Sequence, residues 1–162
     1  MTSLKKTVLL LSGFLIKMGG VFLVAMILLT CANIFLRLVW LPVRGTFELM
    51  GYFGAIVAAF ALARTQTLKG HIAVDVLLNT FSAGKQRICR VINSLACLIF
   101  MVLCAWQLCL KAGILRATGE VTETLNIIYY PFVYAVALGC LVLALVFFSD
   151  LAESFGRSKG GA

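Results

Sequence analysis

Long runs of apolar residues dominate the chain, and short polar segments separate them. Four runs approach the roughly 20 residues that cross a bilayer core about 30 Å thick: Met18–Leu36, Phe47–Ala63, Val91–Leu110 and Ile127–Phe148. They predict membrane helices over residues 15–39, 47–67, 88–111 and 127–149, in one all-α domain covering residues 1–162. The first run extends back to Val8, so its helix is expected to exceed the bilayer thickness and to tilt or to lie partly in the interface.

The two connections flanking the second run differ in kind. Residues 39–46 include Pro42 and Gly45 and predict a tight turn that makes the first two helices an antiparallel hairpin. The segment 65–90 is too polar to cross lipid, yet its apolar positions recur one helical turn apart. This periodicity predicts a short amphipathic helix over residues 72–82 at the cytoplasmic interface, with an extended loop as the alternative.

Composition supports lipid as the main solvent of this chain. Hydrophobic residues make up 62% and charged residues 12%, with a mean hydropathy of +1.07, whereas soluble domains have about 45–50% and 25%. A soluble monomer is therefore excluded. The formal charge of +8 is explained by membrane topology rather than by nucleic acid, which we do not expect as a partner.

The distribution of basic residues predicts the orientation. One side collects nine of them and the other side four: Arg37, Arg44, Lys111 and Arg116. Lys and Arg concentrate on the cytoplasmic side, which predicts that both termini are cytoplasmic in a bacterial inner membrane. No cleavage site follows the first apolar residues, so the first helix is expected to be an uncleaved span.

Polar residues near the ends of the spans are the first candidates for function. Asn33, Arg37 and Glu48 lie on either side of the predicted turn and suggest a polar cluster with a salt bridge between Arg37 and Glu48. The alternative is that Arg37 extends alone toward water, while Glu48 interacts favourably with the start of its helix.

Charged residues are absent from the middle of every span, whereas coupled transporters usually place carboxylates or broken helices there. The six cysteines show no metal-binding spacing, and the chain has a single histidine, His71. We therefore predict no catalytic residues, no metal and no cofactor.

Small residues recur every fourth position along the second helix, at Gly51, Ala55, Ala59 and Ala63. Such a stripe allows another helix to approach the backbone closely. Packing within the four-helix domain explains it without a partner.

Several segments together resemble a known family. They are Asn33-Ile-Phe-Leu-Arg37, the turn with Pro42 and Gly45, Glu48-Leu49, and Arg64 followed by Lys69-Gly70-His71-Ile72-Ala73-Val74-Asp75. In this order they resemble the small membrane subunit, or Q-type subunit, of tripartite ATP-independent periplasmic (TRAP) transporters. The fourth span departs from the family pattern at Ile128 and Ala137, where prolines are frequent.

The resemblance implies a non-catalytic accessory subunit of a sodium-coupled importer of small organic acids. Its expected partners are a large multi-span transport subunit, a periplasmic substrate-binding protein and membrane lipids. Arg64, Gly70, His71 and Asp75 would form a cytoplasmic interfacial motif. Arg44, Arg116, Glu120 and Glu123 are candidates for docking the binding protein.

Two alternatives from other classes stay open. One is a self-sufficient four-helix transporter of the small multidrug-resistance type, although those proteins rely on a carboxylate in the first helix that this chain lacks. The other is a structural membrane protein with an unrelated partner.

Overall fold

The computed structural model describes residues 3–39, 41, 43–68 and 83–156. The described residues form four helices: α1 (Ser3–Val39), α2 (Thr46–Thr67), α3 (Ala83–Thr118) and α4 (Tyr130–Gly156). Each is long and apolar enough to cross a membrane. The predicted all-α architecture with four membrane helices is therefore confirmed. The predicted interfacial helix over residues 72–82 lies outside the described residues.

Two helices are much longer than the spans predicted for them. α1 has 37 residues and α3 has 36, which at 1.5 Å per residue corresponds to roughly 55 Å each. A bilayer core is only about 30 Å thick. Both helices must therefore tilt strongly or extend beyond the hydrocarbon layer.

α1 and α2 form an antiparallel pair, and the chain turns at residues 43–45 before α2 begins. The Thr30 hydroxyl contacts the Met50 sulfur at 3.5 Å nearer this turn, and Gly19 lies against Phe60 farther from it. We call the end with this turn, where α3 also leads into α4, the turn end. The opposite end, where α1 begins and α4 ends, is the terminus end.

α2 and α4 form the centre of the arrangement. The buried share of one 18-residue apolar stretch in each helix is 39% for α4 and 28% for α2, but only 6% for α3 and 0% for α1. α4 contacts all three other helices, whereas α3 packs mainly on α4 and α1 mainly on α2. α1 and α3 thus flank a central pair and leave most of their apolar surface uncovered.

The core lies between α1, α2 and α4. It includes Leu15, Ile56, Phe60, Val142 and Phe147, all buried. Burying large aliphatic and aromatic side chains in contact with one another gives the dispersion energy that holds helices together inside lipid.

Gly139 of α4 lies very close to Ala59 of α2. A Cβ atom added at Gly139 would lie 2.8 Å from the Ala59 Cβ and 3.1 Å from the Ala59 carbonyl carbon and oxygen. These atoms belong to a helix backbone and a buried methyl group, so they have little freedom to move. Glycine is therefore required at residue 139 for the two central helices to pack at this distance.

We expect Gly139→Ala to separate α2 from α4 and to destabilise the subunit by about 1–3 kcal/mol, the usual cost of overpacking. The thermal unfolding midpoint of the purified subunit in detergent measures this loss. Gly20→Ala is the control, because no heavy atom lies within 4 Å of a Cβ at Gly20. Equal midpoints for the two variants would contradict the close packing.

Candidate functional site

The structure concentrates its polar interactions between segments at the turn end. Glu48 lies in the first turn of α2, and its carboxylate accepts the backbone N–H groups of Thr124 at 2.8 Å and Leu125 at 3.4 Å. Both donors belong to the connection between α3 and α4. A carboxylate is also favoured at a helix N-terminus. Glu48 therefore fastens this connection onto the start of α2.

The three residues of the predicted polar cluster have separate roles. The Asn33 side-chain oxygen accepts the backbone N–H of Val43 at 2.9 Å and so holds the α1–α2 turn. Arg37 is exposed in the last turn of α1 and is not among the partners of the Glu48 carboxylate in the described part of the chain. The structure thus places Asn33 and Glu48 on backbone amides of the turn end, and not in one ion-pair cluster with Arg37.

Gly45 lies where the α1–α2 turn, which Asn33 holds, contacts the α3–α4 connection, which Glu48 holds. It precedes α2 with a φ of 72°, in the left-handed region that favours glycine. A Cβ at this position would overlap the Leu125 side chain. Thr46 is buried, and its hydroxyl donates to the Val43 carbonyl at 2.8 Å. The turn and the α3–α4 connection are therefore packed directly on each other.

Residues 119–129 fold into a short antiparallel hairpin, which we call the cap hairpin. Val121 and Ile128 form an isolated antiparallel bridge, and the Thr122 N–H donates to the Ile127 carbonyl at 2.9 Å. Asn126 closes the turn with a φ of 52° and donates its N–H to the Thr122 carbonyl at 3.1 Å. Asn tolerates this left-handed conformation better than most residues, which makes the tight turn possible.

Aromatic rings join the cap hairpin to the helices. Tyr129 stacks on Tyr52 of α2 with ring centroids 5.6 Å apart, and Tyr52 stacks on Phe132 of α4 at 5.3 Å. Phe53 contacts Phe132 at 6.0 Å and Phe22 of α1 at 5.3 Å. Aromatic pairs at such distances stabilise packing beyond the area that they bury. These ring contacts, which we call the aromatic series, join the cap hairpin to α2, α2 to α4, and α2 to α1.

The Tyr129 hydroxyl donates a 2.7 Å hydrogen bond to the Glu120 carboxylate at the base of the hairpin. This bond raises the pKa of Tyr129 above its ordinary value, with smaller contributions from burial and from the negative charge of Glu120. The phenol therefore keeps its proton, and with it the hydrogen bond, to a higher pH than a free tyrosine does.

The four residues predicted to dock a binding protein all lie at the turn end, and all are exposed. Arg44 belongs to the α1–α2 turn, Arg116 to the last turn of α3, and Glu120 and Glu123 to the cap hairpin. The structure thus brings both signs of charge to one end of the molecule.

At the terminus end, the Gln66 side-chain amide donates to the Asp150 carboxylate at 3.1 Å and joins α2 to α4. Arg64 is half-buried in the last turn of α2. The other residues of the predicted cytoplasmic motif, Gly70, His71 and Asp75, lie outside the described residues.

The four residues of the small-residue stripe of α2 differ in burial. Ala59 and Ala63 are buried in the core, where Ala59 meets Gly139. Gly51 and Ala55 are exposed, and among the described residues no other segment places a heavy atom within 4 Å of a Cβ at Gly51. In the described part of the chain, the half of the stripe nearer the terminus end is therefore the buried half.

The described residues contain no group of three or more His, Cys, Asp or Glu side chains that could hold a metal ion. All six cysteines are described, and each is a free thiol.

The partners of Glu48, the cap hairpin and the aromatic series were not predicted from the sequence. Asn126 in a polar segment was the available signal for the hairpin turn, because Asn is common where φ is positive. The hydrogen bonds of the Glu48 carboxylate join residues that are 76 and 77 positions apart in the sequence. Their donors are backbone N–H groups, and the residue types do not show which backbone N–H groups will donate to a distant side chain.

A comparison with protein families gives one match. The model of the DctQ component of the tripartite ATP-independent periplasmic transporters matches residues 26–157. The matched region runs from the middle of α1 through the end of α4 and so includes the whole turn end. No curated protein and no solved structure matches the chain.

We expect Glu48→Ala to release the cap hairpin, because the Thr124 and Leu125 amides lose their acceptor. Hydrogen exchange measured by mass spectrometry is predicted to become faster over residues 119–129, while the middles of α2 and α4 keep their protection. Glu123→Ala is the matched control, since it removes an exposed carboxylate of the same hairpin. Unchanged exchange in Glu48→Ala would show that the hairpin is held by other contacts.

The Tyr129–Glu120 bond predicts a loss of stability at alkaline pH. The pKa of Tyr129 is higher in the folded than in the unfolded chain, so the bond stabilises fully below the unfolded value of about 10 and is lost as pH rises through the folded value. Tyr129→Phe should therefore be less stable than the wild type near neutral pH, and the difference should shrink above pH about 10. Thermal unfolding across this range measures it, and a difference independent of pH would contradict the assignment.

Proposed function

The chain belongs to the DctQ component family of the tripartite ATP-independent periplasmic (TRAP) transporters, and we propose that within its transporter it scaffolds the large transport subunit and performs no transport step itself. Family membership makes it the small subunit of a TRAP transporter and not an enzyme. It also implies a large membrane subunit and a periplasmic binding protein as partners. With four membrane helices, it is a multi-pass protein of the inner membrane.

The observation that carries the scaffold role is the nature of the polar groups within the helices. The Ser12, Thr30 and Ser149 hydroxyls each donate to a carbonyl of their own helix, three or four residues earlier. Relative to the predicted spans 15–39 and 47–67, the charged residues lie toward the ends, as Lys17, Arg37 and Glu48 do. Coupled transporters usually place ionisable groups near the membrane midplane, and in the described helices no Asp, Glu, Lys or Arg lies in the middle of a predicted span.

The uncovered surface of α1 and α3 supports lateral packing on a larger protein. Bulky apolar side chains are exposed along both helices, including Leu28 and Phe35 on α1 and Ile99 and Trp106 on α3. Lipid satisfies such a surface as well as protein does, so exposure alone does not select a partner. The family supplies the partner: a large subunit onto which part of this surface packs.

The proposal extends to orientation and energy coupling. We place both termini in the cytoplasm and the turn end in the periplasm, because the excess of Lys and Arg lies toward the terminus end. Arg44, Arg116, Glu120 and Glu123 would then face the binding protein. Sodium-coupled uptake of small organic acids is the reaction that the family resemblance suggests for the assembled transporter.

Reconstitution into liposomes tests the division of labour. We expect the small subunit alone to give no uptake of organic acids under an inward sodium gradient. The small and large subunits together, supplied with substrate-loaded binding protein, should take up substrate at a rate that depends on the gradient. The two membrane subunits should also co-purify from detergent on a tag carried by either one.

Uptake by the small subunit alone would favour the self-sufficient transporter and overturn this proposal. Failure of the two subunits to co-purify, with full uptake by the large subunit alone, would remove the scaffold role.

A further inference from the structure

The cap hairpin carries an exposed apolar pair that its own folding does not use. We propose that Val121 and Ile128 form the apolar centre of a contact surface for the soluble periplasmic binding protein, and that this protein presents an apolar spot bordered by Lys or Arg. This inference rests on the proposed function, because it requires the turn end to face the periplasm.

The geometry of the hairpin fixes the direction in which this pair points. Residues facing each other across an antiparallel bridge extend their side chains to the same face, and successive residues alternate between faces. Glu120 and Tyr129 form the neighbouring pair, and Tyr129 stacks on Tyr52 of α2. The face with Tyr129 is thus turned toward the helices, and the face with Val121 and Ile128 is turned away.

Exposure agrees with this alternation. On the face toward the helices, Thr122 is only 4% exposed and Ile127 is 37% exposed. Val121 is 45% exposed and Ile128 is 53% exposed, although both belong to a connection outside the membrane helices. Apolar side chains directed away from the protein at such a position indicate a binding surface when polar residues border them.

The charge of the hairpin favours a protein over a lipid surface as the occupant. Residues 119–129 include Glu120 and Glu123 and contain no Lys or Arg. Segments that lie on a membrane surface are typically rich in Lys and Arg, and this hairpin has neither. A protein patch with a basic border complements this surface and would also attract it at long range.

The hairpin is also held rigidly, which favours tight contact. The Glu48 carboxylate and the Tyr129–Tyr52 stack attach it to α2 from two directions. A surface that is ordered before binding loses less conformational entropy when the partner arrives. Two apolar residues are too few for a whole interface, so Glu120 and Glu123 of the same hairpin would contribute to it by facing the basic border of the partner.

The test uses the complete transporter in liposomes and its own purified binding protein. The variant is Val121→Thr with Ile128→Thr, because threonine keeps the β-branched shape that suits a strand and removes apolar surface. Uptake is measured against binding-protein concentration. We expect the concentration for half-maximal uptake to rise about tenfold, corresponding to 1.4 kcal/mol, while the rate at saturating binding protein is retained.

Ile127→Thr is the matched control, since it changes a neighbouring aliphatic residue that alternation places on the other face. It should leave the half-maximal concentration unchanged. In the wild type, raising the salt concentration should also raise the half-maximal concentration, and Glu123→Gln should weaken that salt dependence.

The outcomes separate this inference from the proposed function. If wild-type uptake requires the binding protein and the double variant behaves like the wild type, the apolar pair is not a docking surface, while the scaffold role stands. If the effect of the double variant appears only with anionic lipid and does not change with binding-protein concentration, the occupant is lipid and the inference is wrong. If the wild type takes up substrate without any binding protein, the proposed function fails first.

Discussion

The close contact between Ala59 of α2 and Gly139 of α4 is the constraint on which the rest of the structure depends. Inside a bilayer the hydrophobic effect does not drive helices together, so association relies on packing and on interhelical hydrogen bonds. The absence of a side chain at Gly139 allows two helix backbones to approach until the Ala59 carbonyl is within 3.1 Å of where a Cβ would lie. The core formed by α1, α2 and α4 is built around this approach.

Interactions at the two ends keep the central pair in register. At one end, Tyr52 of α2 stacks on Phe132 of α4, and Glu48 binds the connection that leads into α4. At the other end, Gln66 donates to Asp150. Because α2 and α4 are held together at their middle and near both ends, the position of the cap hairpin relative to α2 is fixed as well. A docking surface on that hairpin would therefore move only together with the central helices.

The sequence predicted the parts of the fold that follow from local pattern. Apolar runs of about 20 residues are sufficient to locate four spans, and the apolar run that extends back to Val8 predicted a first helix longer than the bilayer is thick. The length of α3 exceeded the prediction, because helical structure continues past the residues that lipid requires to be apolar. The partners of Glu48 could not be predicted, since backbone amides in a distant connection look alike at every position. Arg37, the charged side chain nearest across the turn, was the natural candidate, yet two ordered amides offered the carboxylate better partners.

The central claim is that the apolar surface left uncovered on the outer helices is completed by the large transport subunit. Photo-crosslinking from single positions along the four helices, in membranes that contain both subunits, tests it most directly. The account predicts crosslinks to the large subunit at exposed positions such as Val24 or Ala55, recurring every three or four residues along at least one helix, and none from the buried Ile56 or Val142. An absence of crosslinks at every exposed position, in a transporter that takes up its substrate, would contradict it.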